Sequence, residues 1–546
     1  MNAHARAATR GPAIVLGTLA TGQFLMALDT SVMNVSIATV AVDVGTTVTG
    51  IQTAITLYTL VMASLMITGG RIGQMIGRKR AFTIGAVIYG AGSFTTAVAP
   101  NLAVLIFGWS LLEGIGAALI LPAIVGLVAA NFGAEQRTRA YGLLAAAMAA
   151  AVAVGPVLGG FMTTYASWRW VFAGELVLVG VILVLSRSVR DAVATDDATS
   201  FDGFGAATSA LALAAIVLGI LRSSAWGLVR PVEGGPSIFG VSPAILIVIG
   251  GLTLFGMFLG WEERRLRTGR PVLIDPKLFR SKVLRAGLIA FFFQFLVQAG
   301  IFFCVPLFLS VALGLPAVET GIRILPLSAA LVIAALGIPR LLPHASPRRV
   351  CRVGFAAIAT AAVALLGALN AGAGADVVTV PLILAGLGVG ALASQLGAVT
   401  VSAVSDEESA AVGGLQNTVT NLGASIGTAV AGAILISALT TTLFAQLRDN
   451  PEIPPSVTAK SAVTLERGVP FVSDLQVRTA LTNADVPDPV IESVVAANAD
   501  ARLVGLRSAL AVLAVLSLVA IVFTGGLPRT PAAREDREPV PARPRA

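Results

Sequence analysis

The chain has 546 residues, 56% of them hydrophobic and only 12% charged, with a mean hydropathy of +0.87. So apolar a chain cannot cover itself with a wetted surface, which excludes a soluble globular protein and places it in a lipid bilayer. The formal net charge of +8 is spread along the sequence rather than gathered with aromatic residues, so no nucleic-acid partner is expected. Apolar runs of roughly 20 residues, long enough to cross about 30 Å of hydrocarbon, recur throughout. They predict fourteen helical spans: 13–38, 51–70, 81–99, 102–130, 140–164, 170–187, 203–221, 242–261, 286–311, 322–340, 353–372, 378–402, 412–439 and 505–526.

The first run follows Arg6 and Arg10 but is too long for a signal peptide and lacks a small-residue cleavage site, so an uncleaved first span is expected. Loops before spans 3, 5, 7, 9 and 11 are rich in Arg and Lys. The short loops on the other side carry only Arg169, Arg222, Arg230 and Arg323. That bias predicts a multi-pass protein with both termini cytoplasmic.

Three acids fall inside predicted spans: Asp29 in the first, Glu113 in the fourth and Glu175 in the sixth. A charge at the bilayer centre costs on the order of 2.5 to 3.5 kcal/mol, so such residues usually face a cavity and serve ion or proton pathways. The alternative is a neutral carboxylic acid hydrogen-bonded between helices. If an acid must lose its proton to hold cargo and regain it to release cargo, a proton gradient drives export from one shared site.

Span 5 contains Gly155-Pro156-Val157-Leu158-Gly159-Gly160. Pro156 removes an intrahelical hydrogen bond, and Ala151, Gly155 and Gly159 recur every four residues as a smooth stripe for close helix approach. This suits either a moving interface or a static, tightly packed bundle.

A polar linker at 188–202 with Asp191, Asp196, Asp197 and Asp202, and a basic one at 262–285, divide the spans into six, two and six. The expected domains are an N-terminal six-helix bundle (1–190), a linker with two added spans (191–285) and a C-terminal six-helix bundle (286–526). The last bundle carries an outer loop at 441–504, and a disordered cytoplasmic tail follows at 527–546. Basic turns at matching positions, 70–80 and 337–349, fit two related halves.

Gln294 and Gln298 on span 9 and Asn417 and Asn421 on span 13 are candidates to line a polar cavity, or equally to join helices. The cluster Phe291, Phe292, Phe293, Phe295, Phe302, Phe303 and Phe308 suits an apolar ligand and lipid equally well. Cys304 and Cys351 read as small apolar fillers, with no disulfide framework.

Other functions leave no trace. Lys79, Lys277, Lys282 and Lys460 all lack a preceding Gly, so no phosphate-binding P-loop is present. With only His4 and His344, and no H-E-x-x-H or G-x-S-x-G, an intramembrane enzyme would have to work with carboxylates alone.

These residues together resemble the major facilitator superfamily, specifically its fourteen-span drug:proton antiporters, over nearly the whole chain. Gly142, Ala151, Gly155, Pro156, Gly159 and Gly160 are similar to the family's antiporter motif in span 5, with Ala151 in place of a glycine. Leu28-Asp29-Thr30 with Asn34-Val35 resembles its span 1 motif. The stretch Gly70-Arg71-Ile72-Gly73-Gln74-Met75-Ile76-Gly77-Arg78-Lys79 resembles the conformational loop signature between spans 2 and 3, and Trp168 to Phe172 resembles the start of span 6.

Three positions depart from the family: Gln74 stands where the loop signature has Asp, Glu113 lies in a span where the pattern has an Arg, and Glu175 replaces a frequent Asn. The first weakens a charge-controlled latch. The other two shift the expected proton-handling group to Glu113 with Asp29 and Glu175, acids whose titrations are coupled. The resemblance implies a monomeric secondary transporter of the bacterial cytoplasmic membrane, exporting small amphipathic drugs or antibiotics in exchange for protons, and the acid cluster favours cationic ones among them. No cofactor and no metal are implied. Uptake by symport and a non-transporting sensor are the alternatives on the same scaffold.

Overall fold

A computed structural model describes residues 3–132, 134–191, 202–227, 229–231, 235–270, 272–273, 275–342, 344–370, 372–404, 409–449, 471, 473–483 and 486–530. The described residues are helical almost throughout, and one isolated bridge between Ile238 and Val241 is their whole β content. In chain order the helices are α1 (Ala3–Asp43), α2 (Val48–Ile76), α3 (Arg78–Ala97), α4 (Leu102–Leu105), α5 (Gly114–Asn131), α6 (Ala134–Tyr165) and α7 (Arg169–Leu185). There follow α8 (Gly203–Trp226), α9 (Pro243–Arg267), α10 (Lys282–Leu307), α11 (Ala317–Leu341), α12 (Pro347–Ala368), α13 (Thr379–Val401), α14 (Ser409–Asp449), α15 (Asp474–Thr482) and α16 (Asp488–Phe523). A π-helical stretch, Ile106–Glu113, fuses α4 to α5, and a shorter one, Phe308–Ala312, ends α10.

Twelve helices among the described residues are long and apolar enough to cross a membrane. The expected spans 81–99 and 140–164 fall on α3 and α6, which are not among the twelve. Helix α3 starts Arg78-Lys79-Arg80 and continues rich in Gly, Ser and Thr. In α6 only the shorter segment Ala150–Tyr165 is apolar. Both helices pack against neighbours on several sides, so they need less lipid-facing apolar surface than a peripheral helix does.

The expected loop 441–504 is narrower than the sequence suggests. Helix α14 continues to Asp449 and α16 begins at Asp488. Polar residues of α16 are buried rather than solvated, and Arg502 pairs with Asp474 of α15 at 2.5 Å. The tail from 531, residues 450–470 and the linker residues 192–201 lie outside the described residues. Cys304 and Cys351 are buried free thiols, and Phe303 and Phe308 are part of the core.

Two seams join the earlier helices to the later ones. Along the first, α6 lies between α1 and α11. Gly155 and Gly159 face α1, where a methyl on Gly155 would sit 2.5 Å from both Cβ and Oγ of Ser31. Gly160 instead meets the backbone of Ala317, and the Pro156 carbonyl lies against Gly321, both on α11. Along the second, α2 meets α14: Gln52 donates to the Thr428 carbonyl at 3.0 Å, and Ser425 donates to the Thr56 carbonyl at 3.1 Å. Helices α8 and α9 pair with each other, and α8 packs on α2 and α14. Asp202 caps α8 and accepts from Trp261 while pairing with Arg265 of α9 at 3.1 Å, which clamps that pair.

Candidate functional site

Asp29, Glu113 and Glu175 come from three separate helical segments and meet inside the bundle of α1, α3, the π-helical stretch and α7. Each offers a carboxylate oxygen, and these oxygens all lie within 4.8 Å of one another. Their exposures are 1%, 0% and 1%, so water does not screen them. Two like charges at that separation repel by roughly 3 to 4 kcal/mol at an effective dielectric of about 20. Among the described residues no Lys, Arg or His forms an ion pair with any of the three. Among the described residues it is also the single group of three or more acids, His or Cys whose oxygens, nitrogens or sulfurs come close enough to surround a small cation.

Glycines make this convergence possible. A methyl on Gly92 of α3 would lie 2.6 Å from Cγ of Glu113 and 2.7 Å from the Gly108 carbonyl, and one on Gly116 would lie 2.8 Å from Cβ of Tyr89. Without side chains at these positions, α3 approaches until its hydroxyls reach the acids. Ser93 donates to Glu175 Oε2 at 3.2 Å, and Tyr89 to the same oxygen at 3.4 Å. Thr96 donates to the Gly92 carbonyl at 2.9 Å, and its hydroxyl lies 3.5 Å from Glu113 Oε1. Glu113 closes the π-helical stretch, a geometry that recurs at functional sites because the wider turn re-aims side chains.

Asp29 has a different partner. The indole N–H of Trp109 donates to both of its oxygens, at 2.9 and 3.1 Å. The Trp109 ring stacks on Tyr58 of α2 with centroids 5.5 Å apart, and meets Phe172 edge-on at 6.5 Å. Phe172 in turn packs edge-on against Trp168 at 5.8 Å, whose N–H donates to Asp43 at 2.8 Å. Asp43 also pairs with Arg169. A column of rings thus fills the space between the buried Asp29 and the half-exposed Asp43 at the end of α1.

The antiporter-motif residues flank this cluster. Ala151 packs with Leu28, Val32 and Val171, and Leu28 immediately precedes Asp29 in the chain. Gly142 lies in the first third of α6. The loop-signature residues sit elsewhere, at the junction of α2 and α3. Gly77 adopts φ 99°, and Asp191 accepts from the Lys79 backbone N–H at 3.0 Å, capping α3. Arg78 donates to the Gly126 carbonyl, and Gln74, exposed, accepts from Arg71 at 2.9 Å. Gly70, Gly73, Gln74, Arg71 and Arg78 line a cavity of about 320 Å³ that Asp275 and Gly414 also border.

The four amides remain apart from the acids. Asn421 donates to the Asn417 carbonyl of its own helix at 2.8 Å, and Gln294 is buried on α10. None of them bonds to the acid cluster among the described residues. Conversely, reading the sequence missed Trp109, Tyr58, Tyr89, Ser93 and Thr96. The spacing of Tyr89, Ser93 and Thr96, four and three apart, was a visible signal, since it sets three hydroxyls on one face of α3.

The Major Facilitator Superfamily profile matches residues 19–428. Among similar proteins are the "Probable actinorhodin transporter" of Streptomyces coelicolor, 27% identical over 85% of this chain and 79% of its own length. The "Tetracenomycin C resistance and export protein" of Streptomyces glaucescens is 27% identical over 77% of this chain and 75% of its own. The "Multidrug resistance protein Stp" of Mycobacterium tuberculosis is 26% identical over the same shares of each. Among solved structures, a bacterial homolog of the human lysosomal transporter Spinster superposes with a TM-score of 0.60 at 13% identity, covering 94% of this chain and 96% of its own. A multi-pass helical bundle that matches this profile over three-quarters of its length is a transporter rather than an enzyme, and the chain belongs to the major facilitator superfamily.

Proposed function

We propose that this transporter is a proton-coupled antiporter, a monomer that exports small amphipathic compounds, cationic ones among them, across the bacterial cytoplasmic membrane. The observation that carries the reading is the cluster of Asp29, Glu113 and Glu175, enclosed in the bundle with no paired cation among the described residues. Acids held together in that way exchange protons more readily than they hold several charges. Relatives named for antibiotic export and resistance support a drug cargo.

In this reading α3 and α6 also cross the bilayer, making fourteen spans in bundles 1–190 and 286–526 joined by the two-helix linker 191–285, with both termini cytoplasmic. The acids are sealed, so proton and cargo do not displace one another at a shared surface. Coupling runs through packing instead: Ser31, two residues beyond Asp29, rests on Gly155 of α6, and α6 rests on α11. A change of charge at Asp29 moves α1 against α6 and so biases the seam between the halves.

The test uses proteoliposomes with an imposed pH gradient and an interior pH dye, to which a panel of cationic amphiphiles such as ethidium is added. Compound-dependent proton efflux from the acidic side is expected. Folded protein that moves compound without protons, or moves both in the same direction, sinks the antiport reading.

A further inference from the structure

The two basic turns that mark the related halves use their cations differently. In the first turn the cations are spent inside the protein. Arg78 donates to the Gly126 carbonyl at 2.9 Å, Lys79 Nζ donates to the Arg187 carbonyl at 3.2 Å, and Asp191 brings a carboxylate to the Lys79 backbone N–H. In the second, Arg348, Arg349 and Arg352 of α12 and Arg529 beyond α16 line a cavity of about 240 Å³ together with Ser346. Among the described residues no carboxylate pairs with any of these four arginines. Two of them are anchored through Nε: Arg348 donates to the Leu527 carbonyl at 2.8 Å and Arg352 to the Thr524 hydroxyl at 3.1 Å. Those bonds, with the Arg348 backbone N–H on the Pro528 carbonyl at 3.3 Å, fasten the end of α16 to the start of α12. They leave the terminal nitrogens of each guanidinium for another acceptor. Ser346 stands at the N-cap position of α12 without capping it, so its hydroxyl is available as well.

We propose that this cavity binds the phosphate diester headgroup of an anionic membrane lipid. Four like charges drawn to one place repel, and a bound anion offsets that repulsion. A guanidinium also presents paired N–H groups that match two phosphate oxygens, so arginines suit this ligand better than lysines do. The surroundings favour a lipid over a free ion. Val353, next to Arg352, and Val522, two residues before the Thr524 that Arg352 holds, are exposed apolar side chains. Apolar surface thus borders the charged cavity, as acyl chains below a headgroup require. Basic pockets between membrane helices at the bilayer surface hold anionic headgroups in this way. The arginines belong to other helices than the acid cluster, so the inference does not depend on the antiport reading.

The experiment is thermal unfolding of the purified full chain in micelles of a neutral detergent. Dioleoyl phosphatidylglycerol is titrated in, with dioleoyl phosphatidylcholine as the zwitterionic comparison. A ligand that binds the folded protein raises its Tm, so phosphatidylglycerol should give a saturating rise and phosphatidylcholine a much weaker one. Arg349 and Arg529 are exposed and carry none of the anchoring bonds, so Arg349→Gln/Arg529→Gln should keep the lipid-free Tm. Its half-saturating lipid fraction should rise about tenfold, and that of each single variant about threefold, which keeps the test open if the pair unfolds. Arg270→Gln/Arg340→Gln removes the same charge from exposed arginines outside the cavity and should shift it less than about twofold. Equal shifts in the two double variants, or none in the first, overturn the proposal in favour of diffuse attraction. Inorganic phosphate that reaches the same Tm plateau and abolishes the lipid response overturns it in favour of a soluble anion. A lipid response that appears only after Glu535→Gln, Asp536→Asn and Glu538→Gln makes the occupant the chain's own acidic tail, and the lipid assignment fails.

Discussion

Ser328 of α11 donates to the carbonyl of Val152 on α6 at 3.0 Å, and that carbonyl is free to accept because Pro156, four residues on, has no N–H to give it. Ser31 of α1 reaches the same oxygen at 3.5 Å from the other side. The proline of the antiporter motif therefore creates an acceptor inside the membrane, and hydroxyls from the acid-bearing helix and from the later half of the chain converge on it. This gives a physical reason for a proline at a position where an unmet carbonyl would otherwise be costly.

Ser328→Ala should cost about 1 kcal/mol, the net worth of one buried neutral hydrogen bond. Pro156→Ala restores the intrahelical donor, so the serine then has less to supply. In a double-mutant cycle read by thermal unfolding, the two changes should be non-additive by roughly 0.5 kcal/mol or more. Strict additivity would show that the serine does not stand in for the missing N–H.

Gly155→Ala places a methyl 2.5 Å from Ser31, which should cost about 1 to 3 kcal/mol through overpacking. Gly155→Leu should separate α1 from α6 and stop transport while the protein still inserts. Transport at the wild-type rate in a Gly155→Leu protein would mean that the stripe is passive.

Asp29→Asn should reduce compound-dependent proton movement to background, because the amide cannot take up and release a proton. Glu113→Gln and Glu175→Gln should lower it as well, because the three acids share one enclosed site. Proteoliposome flux at matched protein density is the measurement, and equal loss in all three would make the acids equivalent carriers.

Gln52 is 3% exposed, wedges against Gly432 and donates to the Thr428 carbonyl. Gln52→Ala should loosen the α2–α14 seam at the end near the α1–α2 turn. Cysteines introduced beside that seam should then react faster with a polar maleimide than in the parent protein. Unchanged labelling would place the closing contact elsewhere.

Much of this was legible in the chain itself. Composition dictated the bilayer, since so apolar a sequence has no other stable solvent, and the apolar runs marked helices because only helices satisfy every backbone group in lipid. Asp29, Glu113 and Glu175 stood out because each is costly where it lies. The stripe of Ala151, Gly155 and Gly159 announced a close helix contact, although not which helix would fill it.

Tertiary structure decided the rest. Positions 29, 113 and 175 are too far apart in sequence for any local rule to bring them together, and their meeting depends on how closely α3 can approach through Gly92, Gly108 and Gly116. Glu113 and Trp109 lie on a π-helical stretch, where the wider turn shifts the register that an α-helical periodicity would assign. The partner of α6 was also undecided by the pattern: Gly155 and Gly159 turn to α1, while adjacent Gly160 and the Pro156 carbonyl turn to α11. Periodicity sets the direction in which a side chain points along its own helix, and only packing determines what stands there to receive it.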